Sequence, residues 1–316
     1  MPNSSITSIL LTAFEKGRTI IPFGNVATYI PELGKANKSA LGITLLTKDG
    51  RCYEMGDTET RFTIQSISKV ISLIKALELL GKDVVFERVG MEPSGEAFNS
   101  LVELDLNSNR PYNPMINSGA ITISSMLLDH IDFDSLLEYT RKVCKDPEID
   151  LNEDVYRSET ANMSRNKSIA YLLESKDIIS NDVDRSLELY TKMCSLNVNT
   201  KSLANLGILL ANDGMDTGTG EKVIRKDVVE TVKTIMLTCG MYDGSGEFAV
   251  RVGMPSKSGV GGGVMSLADD KVGIGIYGPS LDEKGNCIAG RPILEYLSEK
   301  LELHIFNPVD VISTME

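Results

Sequence analysis

The sequence predicts a mixed α/β fold of the α+β kind: one antiparallel sheet flanked by helices, with an all-helical block inserted into it. Three observations predict this. Short β-prone runs stand toward both ends of the chain, helical spacing dominates between them, and neither a repeat nor a low-complexity linker divides the sequence. Strands from both ends close most simply into a single sheet. The sheet-containing part is expected over residues 1–66 and 226–316 and the helical insertion over 67–225, the two forming one domain.

The elements follow in order. Ile6 to Phe14 is a short apolar stretch with no basic residue before it and no clear cleavage site after it. It reads as the first turns of an amphipathic helix rather than a secretory signal. Within 40–56, Ala40–Thr47 is apolar and β-prone, Lys48-Asp49-Gly50 is a turn, and Arg51–Met55 returns as the second strand of a hairpin. Ser66 to Leu80 reads as a buried helix. Ser118–Leu128, Asp134–Lys142, Ser164–Glu174, Asp182–Cys194 and Thr200–Asn212 carry helical spacing, which dominates to about Leu237. Beyond that the character changes. Glu247–Gly253, Gly259–Leu267 and Val272–Tyr277 are Gly- and Val-rich and read as strands, with turns at Pro255 and Asp269-Asp270, before a closing helix at Arg291–Leu301.

At 316 residues the chain can bury a large core, and 42% hydrophobic with 24% charged residues is an ordinary globular composition. The net charge of -12 argues against nucleic acid or an anionic membrane as partner, though not against a small charged ligand in a pocket with its own field. The five cysteines (Cys52, Cys144, Cys194, Cys239, Cys287) are scattered, with no Cys-x-x-Cys pair. They read as reduced thiols of a cytoplasmic protein. No apolar run is long enough to span a bilayer.

One constellation could do chemistry. Ser66-Ile67-Ser68-Lys69 is a Ser-x-x-Lys motif, a spacing that also occurs at Ser72…Lys75 and Ser164…Lys167. Helical geometry, at about 100° per residue, separates the first two. Ser68, Ser72, Lys75 and Glu78 form a polar stripe, so Ser72…Lys75 is expected to be a solvated or hydrogen-bonded flank. Val70, Leu73, Ile74, Leu77 and Leu80 form the apolar face, and Lys69 falls among them. A lysine there must be paired or neutral, because burying an unpaired ammonium is costly. Desolvation and a second cation would leave a neutral amine able to take the proton of Ser66, and the helix start would offer N–H groups to an oxyanion. The competing reading is a capping serine followed by a snorkelling lysine.

Lys257-Ser258-Gly259-Val260 opens a Gly-rich segment. Lys-Ser/Thr-Gly on a strand beside a Ser-x-x-Lys helix is the arrangement of serine β-lactamases and penicillin-binding proteins, so the expected fold is β-lactamase/transpeptidase-like. Lys257 would supply positive charge, Gly259 would allow close backbone approach, and the Val260 N–H would complete an oxyanion hole with that of Ser66. The run from Gly259 to Gly263 is no dinucleotide fingerprint, since it leads toward a strand and not a helix. A Ser-His-Asp triad is not supported either: His130 sits in an acidic loop, His304 lies near the C-terminus, and neither has a Gly-x-Ser-x-Gly elbow to serve. No cluster shows metal-ligand spacing, and no cofactor is expected.

Tyr29-Ile30-Pro31-Glu32-Leu33, Gln65-Ser66-Ile67-Ser68-Lys69, Asn113 to Ala120, Ser158-Glu159, Arg165-Asn166, Cys239-Gly240-Met241-Tyr242-Asp243 and Lys257-Ser258-Gly259-Val260 together resemble the glutaminase family. They occur in the family's order and run through most of the chain. The resemblance implies hydrolysis of the side-chain amide of L-glutamine to glutamate and ammonia, with Ser66 as nucleophile and Lys69 as base. It implies Tyr29 and Tyr242 as active-site tyrosines, Tyr242 passing protons, with a neighbouring lysine favouring phenolate. It also assigns Asn117, Glu159, Asn166 and Tyr190 to the substrate, Tyr29 lining the pocket. Glu159 would meet the α-ammonium, and the asparagines with Tyr190 the α-carboxylate. Glu159 and Asn166 are seven apart, which on one helix brings them within about 20° of a common direction.

The family resemblance further implies a homodimer or homotetramer. A mitochondrial-type leader and the ankyrin-like extension of larger relatives are not seen in the sequence. Two rival readings stay open: a β-lactam-reactive enzyme, for which Ser164-x-Asn166 supplies a third motif, and a non-catalytic amino-acid sensor.

Overall fold

The computed structural model describes residues 5–101 and 110–307. Helix α1 (Ile6–Ile20) is capped by Ser5, whose hydroxyl accepts the Ser8 N–H. Its buried residues Ile6, Ile9, Leu10, Ala13 and Gly17 recur every three or four positions. The amphipathic helix read at Ile6–Phe14 is therefore present and runs longer. The hairpin follows as β1 (Gly42–Thr47) and β2 (Cys52–Gly56). The Thr47 hydroxyl accepts the Arg51 N–H across its turn, where Gly50 takes a φ of 88°.

After the helical stretch the chain returns as β5 (Ser256–Ser258), β6 (Gly263–Ala268) and β7 (Val272–Tyr277). These five strands form one antiparallel sheet in the order β2-β1-β7-β6-β5. The two chain ends meet at β1 and β7, where Ile43 pairs with Ile276 and Leu45 with Ile274. The sheet built from both termini is thus as the sequence predicts. A short ribbon of β3 (Phe62–Thr63) and β4 (Asn197–Val198) ties the segment before Ser66 to the helical block.

Both faces of the sheet are covered, which is why every residue of β6 and β7 is buried. Val272, Ile274 and Ile276 pack with Leu10 and Ala13 of α1 and with Ile293 and Leu297 of α12 (Gly290–Lys300). The opposite face carries Gly273 and Gly275, and α9 (Thr200–Ala211) lies directly on it. A Cβ at Gly275 would stand 1.9 Å from the Thr200 carbonyl oxygen, and one at Gly273 would stand 2.1 Å from the Ile208 nitrogen. Glycine at these positions is what lets helix backbone sit on strand backbone. Although α9 falls within 67–225, it covers the sheet.

The remaining helices are α2 (Ser68–Leu80), α3 (Lys82–Arg88), α4 (Asn117–Leu127), α5 (Phe133–Cys144), α6 (Glu153–Ala161), α7 (Ser164–Ser175), α8 (Val183–Cys194), α10 (Lys226–Cys239) and α11 (Ser245–Arg251). Helix α2 is central, packed against α4 and α10, with Val70, Leu73, Ile74 and Leu77 in the largest apolar cluster. Among the described residues no helix is long and apolar enough to cross a membrane.

Three local expectations are corrected. Glu247–Gly253 is not a strand but belongs largely to α11. Glu247 and Arg251 pair one turn apart at 2.8 Å, while Phe248 and Val252 are buried and Val250 is 80% exposed. A four-residue period overrode the β-prone composition. In Gly259–Leu267 the first four residues form a turn, closed by Gly259 N–H to Gly263 O and Gly262 N–H to Gly259 O, both 2.9 Å, and β6 starts only at Gly263. Ser72 is buried rather than solvated, because α4 and α10 leave α2 little free surface.

Candidate active site

Strand β3 delivers the chain into a 3-10 turn, Gln65–Ile67, that runs on into α2. Gln65 adopts a left-handed φ of 49°, uncommon for a residue with a side chain. The Ser68 hydroxyl donates to the Gln65 carbonyl at 2.8 Å and fixes the turn. Ser66 is thereby held at the junction, buried.

Lys69, on the first turn of α2, points inward as its place among the apolar residues predicts, and is 2% exposed. Its Nζ donates to Asn117 Oδ1 at 2.7 Å and to the Met115 carbonyl at 3.2 Å. Both acceptors are neutral. Burial therefore lowers its pKa to about 8, against the weaker opposing pulls of Cys194 and Glu159.

Tyr242 comes to the site from a 3-10 turn, Tyr242–Gly244, and also has a left-handed φ, 55°. Its hydroxyl donates to the Ser258 carbonyl at 3.3 Å, with the Ser66 side chain and the Val260 backbone near enough to act on its acidity. Lys257 is fully buried, with its Nζ 4.5 Å from the centre of the Tyr242 ring and donating to the Ser258 carbonyl at 2.7 Å.

Two electrostatic expectations change here. Lys257 was expected to supply positive charge, but burial first and Lys69 second push its pKa well below the ordinary lysine value. A lysine so placed is held toward its neutral form. Tyr242 was expected to favour phenolate, but burial raises its pKa, outweighing the hydrogen bonds from Ser66 and Val260. It is a protonated donor in the resting site. Gly259 behaves as expected: a Cβ there would lie 2.7 Å from the Ile64 carbonyl oxygen, so only glycine lets this turn close on the segment before Ser66. Val260 is buried beside Tyr242.

The opposite wall is polar. Asn117, at the start of α4, accepts from Lys69 and from the Tyr190 hydroxyl at 3.2 Å, and its Nδ2 donates to Asn166 Oδ1 at 2.9 Å. One side chain thus links the lysine to two of the residues read as binding substrate. Glu159 is buried, accepts from Gln65 Nε2 at 3.4 Å, and burial raises its pKa to about 7. Tyr29 is 57% exposed. Protein packed around its hydroxyl still raises its pKa well above normal, with Tyr242 and Glu159 adding to the effect. Ser66, Lys69, Tyr242 and Lys257 on one wall and Asn117, Glu159, Asn166 and Tyr190 on the other are thus linked by hydrogen bonds or close charges into one constellation.

The reason given for pairing Glu159 with Asn166 is corrected. They do not share a helix: α6 ends at Ala161 and α7 begins at Ser164, and the two residues reach the site from separate helices. Ser164 stays exposed on the surface, outside the constellation. Two residues were missed. Gln65 bridges Thr63 and Glu159, and its place next to Ser66 was the only available signal. Phe98 packs against Tyr242 with ring centres 4.6 Å apart and planes tilted by 36°, while its carbonyl takes the Asn117 N–H at 2.9 Å. Its surrounding sequence carries no periodic signal.

Comparison with known proteins identifies the family and the fold. The family model described as "Glutaminase" matches residues 24–306. Glutaminase 2 of Clostridium perfringens (strain 13 / Type A) is 50% identical over 303 residues, covering 95% of this chain and 99% of that protein. A probable glutaminase from Bacillus subtilis, solved in complex with 6-diazo-5-oxo-L-norleucine, superposes with a TM-score of 0.87 at 38% identity, covering 97% of this chain and 99% of that one. A second Bacillus subtilis glutaminase structure is a covalent complex with 5-oxo-L-norleucine, formed by reaction of that protein with 6-diazo-5-oxo-L-norleucine. It has a TM-score of 0.86 at 38% identity and covers 95% and 99% of the two chains. The fold is β-lactamase-like.

Proposed function

This chain belongs to the glutaminase family and is an amidohydrolase acting on a linear amide, and we propose that it cleaves L-glutamine through an acyl-enzyme on Ser66. One observation carries the reading: Lys69, a buried lysine with no carboxylate among its described hydrogen-bond partners, lies one helical turn from Ser66, whose side chain acts on the hydroxyl of Tyr242.

The α-ammonium of glutamine is placed against Glu159, and the α-carboxylate against Asn117, Asn166 and Tyr190, with Tyr29 along the open side. Lys69, as free amine, takes the Ser66 proton while Ser66 Oγ attacks the side-chain carbonyl carbon. The Ser66 and Val260 N–H groups hold the oxyanion. When the C–N bond breaks, Tyr242 gives its proton to the departing nitrogen and is reprotonated from the serine–lysine side, so ammonia leaves and the γ-glutamyl ester remains. Water then attacks the ester, its proton passes back along the same groups, and glutamate is released. A protonated Tyr242 suits this relay better than a phenolate, because the leaving nitrogen needs a proton. Lys257 acts as a neutral donor and packing partner beneath the Tyr242 ring.

The covalent adduct of the Bacillus subtilis relative with a reactive glutamine analogue supports an enzyme nucleophile. The five free thiols support a reducing, cytoplasmic setting.

The test is ammonia release from L-glutamine by wild type and Ser66→Ala. Release by the wild type that drops at least about a thousandfold in Ser66→Ala supports both reaction and nucleophile. Equal release by the two proteins would keep the reaction and remove the serine. A folded wild type that binds glutamine but turns nothing over would make the chain a sensor.

A further inference from the structure

We propose that the turn Asp282–Asn286 is a positioning clamp that holds Tyr242 and Val260 in register with Ser66, an inference that rests on Tyr242 being the proton relay. Nothing in the motif pattern pointed to this turn. Tyr242 sits at a left-handed φ of 55° that its own side chain disfavours, so neighbouring structure must over-determine it. Part of that hold is internal: the Ser245 hydroxyl accepts the Met241 N–H at 3.0 Å and donates to the Tyr242 carbonyl at 2.8 Å.

The remainder comes from across the cleft wall. Asp282 Oδ1 accepts the backbone N–H groups of Lys284 and Asn286 at 3.0 and 2.9 Å. The turn is closed by Asp282 N–H to Asn286 O at 2.8 Å and Gly285 N–H to Asp282 O at 3.1 Å. From this frame Lys284 Nζ reaches the Asp243 carbonyl at 3.3 Å, and the buried Asn286 Nδ2 reaches the Met241 carbonyl at 3.5 Å. Two side chains of one turn thus grip the residues on either side of Tyr242.

The turn also presses on the ring itself. Gly285 has a φ of 89°, and a Cβ there would lie 3.3 Å from Val260 Cγ1 and 3.7 Å from Tyr242 Cε2. Its neighbour Leu281 pairs with Asn25 through N–H to O bonds of 2.8 and 2.9 Å, and belongs to one apolar cluster with Ala27, Ile30, Tyr242 and Val260. The same strand of chain therefore anchors the segment leading to Tyr29. Among the described residues, the hydrogen bonds of 281–286 outside the turn reach Asn25, Met241 and Asp243, which flank the two tyrosines, and not Asn117, Glu159, Asn166 or Tyr190. That division predicts a separation of kcat from KM.

The experiment measures kcat and KM for glutamine, with melting temperature, in Asp282→Ala, Asp282→Asn, Asn286→Ala and Gly285→Ala. Asp282→Ala and Asn286→Ala are expected to lower kcat by about tenfold or more while KM moves by less than about threefold, since sub-ångström misplacement of a relay is costly. Gly285→Ala, which strains the left-handed turn and crowds Val260, should do the same. Asp282→Asn keeps the acceptor and loses the charge, and it should restore most of the turnover lost in Asp282→Ala. The clamp is overturned if all variants match wild type. It is also overturned if Asp282→Asn falls as far as Asp282→Ala, which would make the effect one of charge, or if kcat, KM and melting temperature degrade together. An inactive wild type would instead sink the glutaminase mechanism itself, so the two failures are distinguishable.

Discussion

At the scale of single residues, the site runs on burial overriding intrinsic acidity. Lys69 is brought down to about 8 and Glu159 up to about 7, both chiefly by desolvation. The proposed chemistry needs Lys69 as free amine and Glu159 as carboxylate, so both gain their working form as pH rises. The kcat/KM for glutamine should therefore climb steeply between about pH 6 and 8 and level off above; a profile flat from pH 6 upward would remove Lys69 as the base. Asn117→Asp supplies a sharper check. Its Oδ1 is the nearest acceptor of the Lys69 ammonium, and a carboxylate there would favour the charged lysine. The alkaline-going limb of kcat should move up by about 1 pH unit or more, separately from any rise in KM. An unmoved limb would mean that another group titrates. Lys69 was legible from the sequence because helical spacing alone puts it among Val70, Leu73 and Ile74. The state of Lys257 was not, since its charge depends on whether a distant segment brings a carboxylate, and none among the described residues does. The phenolate expected for Tyr242 failed for the same reason: a lysine lowers a tyrosine's pKa only if it keeps its own proton.

At the scale of elements, close backbone contact decides how the sheet meets its helices. Gly273 and Gly275 alternate with Ile274 and Ile276 along β7, so one face is smooth for α9 and the other bulky for α1 and α12. Gly275→Ala would place a methyl group 1.9 Å from the Thr200 carbonyl oxygen, which α9 can relieve only by lifting its first turn. That turn is pinned by the Asn199–Ser202 capping box and by the Ser202 hydroxyl donating to Asp146 Oδ2 at 2.6 Å. Gly275→Ala is expected to cost about 1–3 kcal/mol, read as a lower denaturant midpoint with an unchanged slope; a midpoint within error of wild type would show that α9 floats freely. In the sequence Val272–Tyr277 reads only as a Gly- and Val-rich strand, and what its glycines face comes from the structure. The misreading of α11 has the opposite cause. Phe248-Ala249-Val250 looks β-prone in composition, but only Phe248 and Val252 find a core to enter, and that choice is made by the sheet they pack under.

At the scale of the whole molecule, the site is a stability cost that the rest of the fold must offset. The signs follow from proton binding in the two states. Glu159 binds its proton more tightly when folded than a free glutamate does, so folding loses stability as pH rises from the ordinary value of 4.5 to about 7. Lys69 is the mirror case: its folded form releases the proton early, so the penalty is full below about 8 and is relieved as pH climbs toward 10.5. The two penalties overlap near neutrality, where the enzyme is proposed to work, which is the usual conflict between a functional site and a stable one. Removing the charge at one position should expose it. Glu159→Gln keeps an oxygen able to accept from Gln65 and abolishes the buried carboxylate, at the expense of the contact proposed for the substrate ammonium. Such a shift corresponds to at most about 3 kcal/mol above pH 7. Glu159→Gln should melt a few degrees above wild type at pH 7.5, and the gap should nearly close by about pH 4, below the ordinary value of 4.5, where the wild-type carboxyl is mostly protonated in both states. Equal melting temperatures at both values would show that Glu159 is solvated well enough in the open cleft to ionise without penalty.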